Sequence, residues 1–343
     1  MKVLMKTAKG EGNVEFKDVE PPKINSDEML VEIKAAGICG TDLHILHDKS
    51  YYIPPVTLGH EYSGIVIEIG DDVKDFEIGD KVTSPATINC GICHFCRIGA
   101  TNRCIDQNKR ILGVARANGA FASYMAVPAK IAHKLPKDIP FEEAALAEPA
   151  ACAVHATEVV PVNMGDTVAI LGPGPMGLLI LQLAKLSGAA QTIVTGITAD
   201  QDRMKIAKEL GADLTINIDE ENPVTTIKKL TDGLGADIVF DCSGAPPAQK
   251  QAFDIVRRRG NIVLVGLTGR EINISLDKIV EGELEVKGSW GTLWTSWKLA
   301  IKLISLNKLQ VRPLISATLP LEQWEKGFQL MESKEAIKVL LMP

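Results

Sequence analysis

The chain alternates short apolar runs with longer segments in which apolar residues recur at helical spacing. Residues 168–171 predict a buried strand, and residues 178–186 predict a helix directly after it. Further strands are predicted, separated by helical stretches, at residues 192–195, 214–217, 238–241 and 262–265. Strands that alternate with helices in this way predict a doubly wound α/β domain with a parallel sheet.

The turn between the first predicted strand and its helix reads GPGPMG. Its glycines match the pattern G-x-G-x-x-G, in which glycine tightens the turn and lets the backbone approach a pyrophosphate. The pyrophosphate would lie at the positive N-terminus of the helix. The predicted dinucleotide contacts are Gly172, Gly174, Pro175, Met176 and Gly177.

The end of the second predicted strand is where an acidic residue would accept hydrogen bonds from the adenosine ribose. Gly196 stands there instead, and Thr198 and Arg203 follow it as predicted contacts to the adenosine end. Because no carboxylate repels a 2'-phosphate at this position, the sequence favours NADP over NAD. Asp200 or Asp202 could fold back onto the ribose and restore a preference for NAD.

Residues 167–184 carry no charge over eighteen positions, a length that alone would suggest a membrane span. Glycine and proline punctuate one end of the segment, which is typical of a strand that turns into a helix in a soluble protein. We therefore assign the segment to the dinucleotide domain and expect no membrane partner.

Length and charge bound the rest of the molecule. The 343 residues exceed a typical domain of roughly 100–200 residues, so two domains are expected. The net charge of -6 argues against nucleic acid, whose phosphates need a basic face. No apolar segment of signal-peptide length opens the chain, which predicts a cytoplasmic, reducing location. A small-molecule partner is expected.

Four of the seven cysteines lie in the stretch CGICHFCRIGATNRC. In a reducing compartment this density favours a metal site over disulfides. The spacing C-x2-C-x2-C-x7-C allows four thiolates to close a tetrahedral zinc site. An iron–sulfur cluster is the rival, but the bacterial ferredoxin run has a three-residue last gap followed by proline. With four thiolates the zinc has no open position, so Cys90, Cys93, Cys96 and Cys104 predict a structural site.

A second set of metal-binding residue types is spread along the chain. Cys39, His60 and Glu61 supply a thiolate, an imidazole and a carboxylate, which together suit zinc. Glu148 precedes Pro149, a pair that predicts an extended backbone able to present another carboxylate. Three or four ligands from distant segments would leave a position for water or an alcohol. We therefore predict that this second site is catalytic.

The order of the motifs C-G-T-D-x-x-H, G-H-E, four clustered cysteines, E-P and G-x-G-x-x-G resembles the zinc-dependent medium-chain alcohol dehydrogenases, especially the sorbitol and threonine dehydrogenase branch. The resemblance spans nearly the whole chain. It implies a GroES-like, mostly β catalytic domain over residues 1–150, completed by residues 291–343, and a Rossmann cofactor domain over residues 151–290. It also implies two zinc ions per chain and a homo-dimer or homo-tetramer paired through an edge strand near residues 283–288.

The resemblance implies roles for the residues of the second metal site. Cys39 and His60 would bind the catalytic zinc together with Glu61 or Glu148, and which carboxylate binds directly stays open. Asp42 would hydrogen-bond His60 and fix its tautomer.

The resemblance also implies a path for the substrate proton. Thr41 would hold the substrate hydroxyl and pass its proton toward His44 through the cofactor ribose. Zinc lowers the pKa of an alcohol, which favours hydride transfer from carbon to the nicotinamide.

The expected activity is hydride transfer between NAD(P) and a secondary alcohol, such as a polyol, a sugar alcohol or a small diol. L-threonine 3-dehydrogenase is an alternative, which would need partners for a carboxylate and an ammonium group. A catalytically silent nucleotide-binding relative is an alternative of another class, and the presence of Cys39, His60 and Thr41 argues against it.

The stretch GSWGTLWTSWKLA departs from the family pattern, because three tryptophans stand where sorbitol enzymes have an arginine-containing stretch. Trp290, Trp294 and Trp297 are predicted to serve in core and interface packing. A tryptophan that reached the substrate would favour a less polar alcohol.

Overall fold

The structure, a computed structural model, describes residues 1–343 and divides into two compact units. Unit 1 consists of Met1–Ala151, Thr292–Asn307 and Ile315–Pro343. Unit 2 consists of Cys152–Gly291 and Lys308–Leu314.

The strands are β1 (Lys2–Lys6), β2 (Val14–Asp18), β3 (Glu28–Gly37), β4 (Val56–Thr57), β5 (Glu61–Ile69), β6 (Lys81–Thr83), β7 (Thr87–Ile88), β8 (Arg110–Leu112), β9 (Arg116–Ala117), β10 (Tyr124–Pro128), β11 (His133–Lys134), β12 (Thr167–Leu171), β13 (Gln191–Gly196), β14 (Leu214–Asn217), β15 (Ala236–Asp241), β16 (Val256–Leu264), β17 (Glu285–Gly288), β18 (Ile315–Pro320) and β19 (Lys338–Met342). The helices are α1 (Gly40–Leu46), α2 (His94–Arg97), α3 (Phe141–Ala144), α4 (Ala147–Val159), α5 (Pro175–Leu186), α6 (Gln201–Glu209), α7 (Pro223–Leu230), α8 (Pro246–Ile255), α9 (Asp277–Gly282), α10 (Trp294–Ser305) and α11 (Trp324–Glu332).

Unit 1 is mostly β, as predicted. Its largest sheet has seven strands in the order β11-β6-β5-β3-β19-β18, with β10 paired to β3. Strand β3 pairs antiparallel with β5 and with the late strand β19, so distant parts of the chain meet at the centre of the sheet. Unit 1 also contains two three-stranded sheets, β2-β1-β4 and β7-β8-β9. One apolar cluster, which includes the buried Met29, Tyr62, Phe121 and Phe328, forms the core.

Unit 2 confirms the predicted doubly wound domain. Its six strands are all parallel, in the order β14-β13-β12-β15-β16-β17. The uncharged segment at residues 167–184 is strand β12, a glycine-rich turn and most of helix α5, and no helix of the chain is long and apolar enough to span a membrane. The order places β17 at the edge of the sheet.

Residues Lys308–Leu314 belong to unit 2, whereas the sequence placed all of residues 291–343 with unit 1. The reason is a side-chain anchor on α5. Gln182 donates from Nε2 to the carbonyl oxygen of Gln310 at 3.0 Å, and its Oε1 accepts from the Gln310 backbone N–H at 2.7 Å. Because Gln182 is buried, these reciprocal bonds hold the segment against the helix.

Candidate active site and metal centres

Asp42 joins the two segments that carry the predicted zinc ligands of unit 1. Helix α1 begins at Gly40, and Cys39 precedes it as the N-cap residue with an extended backbone. The buried carboxylate of Asp42 accepts from the Cys39 backbone N–H at 2.9 Å and from the Gly59 N–H at 3.3 Å. The first bond is the acidic half of a capping box, and the second fixes the residue before His60.

Two glycines make room for the cluster. Gly59 has φ +88, and a Cβ there would lie 2.6 Å from the ring of Phe121, so both the conformation and the packing exclude a side chain. Gly37 pairs with Glu61 across the sheet, and a Cβ at Gly37 would lie 2.4 Å from the Glu61 carboxylate. Gly59 therefore sets the backbone path into His60, and Gly37 leaves space for the Glu61 carboxylate.

The structure brings Cys39, His60 and Glu61 together, with their ligand atoms all within 4.8 Å of one another. The Nδ1 atom of His60 is buried and has no hydrogen-bond partner. The predicted hydrogen bond between the His60 ring and the Asp42 carboxylate is not formed. The two groups are 3.9 Å apart, because the Asp42 oxygens face backbone N–H groups.

The electrostatics of this cluster favour a cation. Burial lowers the pKa of His60, but the sulfur of Cys39 and the carboxylates of Asp42 and Glu148 raise it, and the net shift is well above the ordinary value. An imidazole with an unpartnered nitrogen among several anionic groups suits a divalent metal bound by sulfur, nitrogen and oxygen. The residues therefore fit zinc.

Lys338 is a member of the site that sequence reasoning missed. Its ammonium group donates to both carboxylate oxygens of Glu61, at 2.8 and 2.6 Å, and to the carbonyl oxygen of Ile38 at 2.9 Å. Burial lowers the pKa of Lys338, but Glu61 and Cys39 raise it, and the net shift is upward. The only signal in the sequence was a lysine at the start of an apolar strand, KVLLM.

Glu148 lies near the cluster but outside the group of three. It is the second residue of α4, so its backbone is helical and not extended as predicted. Pro149 is tolerated in the first helical turn, where a backbone N–H has no partner within the helix. The Glu148 carboxylate is close enough to raise the pKa of both His60 and Lys338.

Helix α1 presents the two residues predicted to handle the substrate proton. The hydroxyl oxygen of Thr41 lies 3.7 Å from the sulfur of Cys39. His44 is exposed and follows three positions later, so it lies on the same side of the helix. Thr41 is therefore next to the metal cluster, and His44 is in contact with solvent.

The four clustered cysteines converge on a second centre. The ligand atoms of Cys90, Cys93, Cys96 and Cys104 all lie within 4.8 Å of one another, and the sulfurs of Cys90 and Cys96 are 3.9 Å apart. Four thiolates around zinc at about 2.3 Å would be about 3.8 Å apart, so the arrangement fits this ion.

The backbone of this lobe favours thiolates. Backbone N–H groups of Ile105 and Cys96 lower the pKa of Cys93 to about 6. Burial and the neighbouring Cys93 raise the pKa of Cys96 to about 12. Cys93 therefore favours the thiolate near pH 7 whereas Cys96 keeps its proton, and a bound cation would displace that proton.

The glycine-rich turn of unit 2 has the conformation that a dinucleotide needs. Gly172 has φ +103, and a Cβ at Gly177 would lie 2.0 Å from the Gly172 carbonyl oxygen. Gly174 is the N-cap of α5 and has open space beside it, and Pro175 and Met176 follow as the first residues of the helix. This open helix N-terminus can receive a pyrophosphate.

A carboxylate for which the expected position gave no signal lies beside the end of strand β13. Gly196 is packed closely, since a Cβ there would lie 3.1 Å from Pro173. The Thr198 backbone N–H donates to Asp219 at 2.8 Å. An acid was expected at the end of β13. Asp219 instead follows β14, the next strand along the chain and the parallel neighbour of β13.

The two acids that could have restored a preference for NAD are engaged elsewhere. Asp200 accepts from the Ile197 backbone N–H at 3.2 Å and lies 3.6 Å from the guanidinium group of Arg203. Asp202 pairs with Lys205 at 2.7 Å and is exposed.

The tryptophans divide between core and surface. Trp297 is buried, and its indole N–H donates to Thr292 at 2.9 Å. Trp290 and Trp294 are 49% and 46% exposed, so the predicted core packing applies to Trp297 alone.

Comparisons with known proteins extend over the whole chain. The family model described as zinc-binding dehydrogenase matches residues 175–305, and the one described as alcohol dehydrogenase GroES-like domain matches residues 25–137. A sorbitol dehydrogenase of Halalkalibacterium halodurans is 38% identical over 100% of this chain and 99% of its own. An L-threonine 3-dehydrogenase of Thermococcus kodakarensis is 39% identical over 100% and 98%. A protein of Sinorhizobium meliloti 1021, solved with NADP bound, superimposes with a TM-score of 0.91 at 33% identity over 100% and 99%.

Proposed function

Since the chain belongs to the zinc-dependent medium-chain dehydrogenases, in the branch of the sorbitol and threonine enzymes, we propose that Cys39 and His60 bind the zinc at which it oxidises a secondary alcohol. The protein is an NAD(P)-dependent alcohol or polyol dehydrogenase. We propose two zinc ions per chain, the second held by the four clustered cysteines.

The observation that carries the proposal is the convergence of Cys39, His60 and Glu61 beside the hydroxyl of Thr41. A zinc ion held there supplies Lewis acidity, which lowers the pKa of an alcohol hydroxyl. The nicotinamide cofactor supplies the acceptor for the hydride.

The side chains of α1 handle the proton. We propose that Thr41 accepts a hydrogen bond from the substrate hydroxyl, because its own hydroxyl lies next to the cluster. His44 is exposed on the same side of the helix and can release the proton to water. The buried Asp42 holds the backbone around the ligands and does not touch the proton.

The carboxylate ligand is proposed to be Glu148. Lys338 occupies both oxygens of Glu61, so a metal must compete with a buried ion pair to bind Glu61. Glu148 already acts electrostatically on His60. Glu61 would then remain paired with Lys338 and contribute negative charge near the metal without binding it.

We propose that NADP is the preferred cofactor. Gly196 supplies no acid, and the two acids after it are turned to other partners. Thr198 and Arg203 remain the candidate contacts of a 2'-phosphate. The nearby Asp219 opposes this preference because its charge would repel the phosphate.

The test is a panel of secondary alcohols with each cofactor. Zinc-loaded protein is assayed with sorbitol, xylitol, 2,3-butanediol and L-threonine, using NAD and NADP in parallel. The highest kcat/KM is expected for a polyol or diol. A clear preference for L-threonine would support the second candidate, which the threonine dehydrogenase relatives favour.

A metal-site variant tests the centre itself. Cys39→Ser should lower the zinc content by one ion per chain and remove alcohol oxidation. Full activity in Cys39→Ser would refute the assignment of the site.

We also propose a homo-oligomer that pairs through β17. This strand lies at the edge of the parallel sheet, where its outer backbone groups have no strand to pair with. A cytoplasmic location completes the proposal. Light scattering would give the number of subunits, and Val286→Pro should reduce that number.

A further inference from the structure

A cavity of unit 1 lies beside the edge strand β11 and shares no residue with the metal cluster. Its volume is about 730 Å³, within the range of small-molecule sites. Much of its lining is apolar and comes from Phe76, Ala132, Leu135, Pro136, Trp294 and Ile301.

The charged part of the lining is mainly basic. Lys130, Lys134, Lys298 and Lys302 line the cavity, and Asp75 is the single acid among the lining residues. Lys134 is paired with an aspartate outside the lining, at 2.7 Å. Lys298 and Lys302 lie one turn apart on α10, so their ammonium groups project from the same side of the helix. The cavity therefore attracts anions.

An imidazole that packs against two indoles forms part of the wall, stacked on Trp297 and tilted by 34° to Trp294. The ring of His133 lies 5.1 Å from that of Trp297 and 4.0 Å from that of Trp294, centroid to centroid. Burial and the charge of Lys298 lower the pKa of His133 to about 4, so the ring is neutral near pH 7. Its Nε2 atom is buried without a hydrogen-bond partner, which is uncommon for a polar atom in this environment.

Trp294 connects the apolar and the basic parts. It is 46% exposed although it lines the cavity, and the ammonium group of Lys298 lies 5.8 Å from its ring centroid. A half-exposed indole beside paired lysines offers a flat apolar surface and positive charge within a few ångströms of each other.

We propose that this cavity is a second ligand site, separate from the alcohol and dinucleotide sites, for a small organic anion with a flat apolar body. The body packs on Trp294, and a phosphate or carboxylate group lies between Lys298 and Lys302. An ammonium group forms charge-assisted hydrogen bonds with a phosphate or a carboxylate. Tight binding therefore requires both the apolar surface of Trp294 and the two lysines.

The test is calorimetric titration of the zinc-loaded protein, with NADP at saturating concentration so that the dinucleotide site is filled. The probes are 1-naphthyl phosphate, which has both parts, 1-naphthol, which has the body alone, and inorganic phosphate, which has the charge alone. We expect one 1-naphthyl phosphate per unit 1, bound more tightly than either partial probe.

Two variants and a control locate the site. Lys298→Gln with Lys302→Gln should weaken 1-naphthyl phosphate by about tenfold or more, since charged hydrogen bonds are lost. Trp294→Leu should weaken 1-naphthyl phosphate and leave inorganic phosphate unchanged. The control, Lys23→Gln with Lys326→Gln, removes the same charge from exposed positions of unit 1 and should leave the affinity within about twofold.

Three results would overturn the proposal. These are failure of 1-naphthyl phosphate to bind once NADP is saturating, an equal loss of affinity in the control variant, and equal binding of inorganic phosphate and 1-naphthyl phosphate. All variants change exposed side chains, and their unfolding curves establish that each one is folded before titration.

Discussion

Lys338 and Glu61 form a buried ion pair at the edge of the metal cluster, with the Lys338 ammonium nitrogen 2.8 and 2.6 Å from the two carboxylate oxygens. The two residues are 277 positions apart in the chain. Their side chains are 3% and 2% exposed, so neither charge is hydrated. The pair therefore links the last strand of unit 1 to the segment that supplies the zinc ligands.

Lys338→Met should destabilise the protein strongly. Removing one partner leaves a buried charge uncompensated, and we expect a loss of about 3–5 kcal/mol in the free energy of unfolding. Urea denaturation of the metal-free protein measures this loss. Lys2→Met, which breaks the exposed pair with Asp18, is the control and should cost less than about 1 kcal/mol. The double variant Lys338→Met with Glu61→Gln should recover part of the stability, and a Lys338→Met protein as stable as the control would contradict the prediction.

Glu148→Gln and Glu61→Gln should separate the two candidate carboxylate ligands. If Glu148 binds zinc directly, its amide variant should lose at least about tenfold in zinc affinity, the size of effect that even supporting residues of metal sites produce. Glu61→Gln should change the affinity less, because Lys338 already holds that carboxylate. Competition with a chromogenic chelator measures both values. The reverse order would assign the metal to Glu61.

Cys104→Ser should remove the structural zinc and spare the other centre. Cys104 is the most buried of the four sulfur ligands, so its loss opens the tetrahedron. We expect one zinc ion fewer per chain, a lower unfolding temperature and a lobe that proteases cut at residues 90–104. Elemental analysis and limited proteolysis provide the measurements. Loss of both zinc ions would show that the two centres are not independent.

Asp219→Asn should shift the cofactor preference further toward NADP. The variant removes a negative charge that lies next to Thr198 yet keeps an oxygen to accept its backbone N–H. We expect the ratio of kcat/KM for NADP over NAD to rise about tenfold, the effect of one charge near a phosphate. Asp202→Asn removes an exposed acid from the first turn of α6 and should leave the ratio nearly unchanged. An unchanged ratio in Asp219→Asn would mean that this carboxylate does not face the ribose.

His133 should make the protein less stable in mild acid. Its pKa is about 4 in the folded state and about 6.5 when unfolded, so the unfolded chain takes up the proton first as the pH falls. Stability from this residue is complete above pH 6.5 and decreases through pH 4, by up to about 3 kcal/mol. His133→Phe keeps the stacking and should flatten the pH dependence of urea unfolding over this range. A wild-type-like slope in that variant would refute the assignment.

Much of the fold was visible in the sequence because parallel strands buried on both faces are continuous apolar runs. Strand β14 has the predicted bounds, and β12 differs by one residue. Strand β16 begins earlier than predicted, at Val256. Its first residues include three consecutive arginines, which interrupt the apolar run that the prediction depended on. The anchor at Gln182 was not visible, because it depends on a side chain that bonds to backbone 128 residues away.

The residue types of the candidate site could be predicted from the sequence, but the hydrogen bonds and ion pairs among them could not. Cys39, His60 and Glu61 could be paired by their chemistry, and they do converge. The role of Lys338 could not be inferred, because only the pairing of β19 with β3 brings the C-terminal strand to the cluster. The contacts of Asp42 also depend on tertiary structure, since its second oxygen binds Gly59, 17 residues away.

The position of β19 in the chain sets the order of events during protein synthesis. Most of unit 2, Cys152–Gly291, is translated directly after the first segment of unit 1, so it can fold while that segment still lacks its closing strand. A nascent chain that has not yet emerged past β19 holds Glu61 without its cation. The ion pair of Lys338 with Glu61 is therefore completed only after every strand of the parallel sheet of unit 2 has been made.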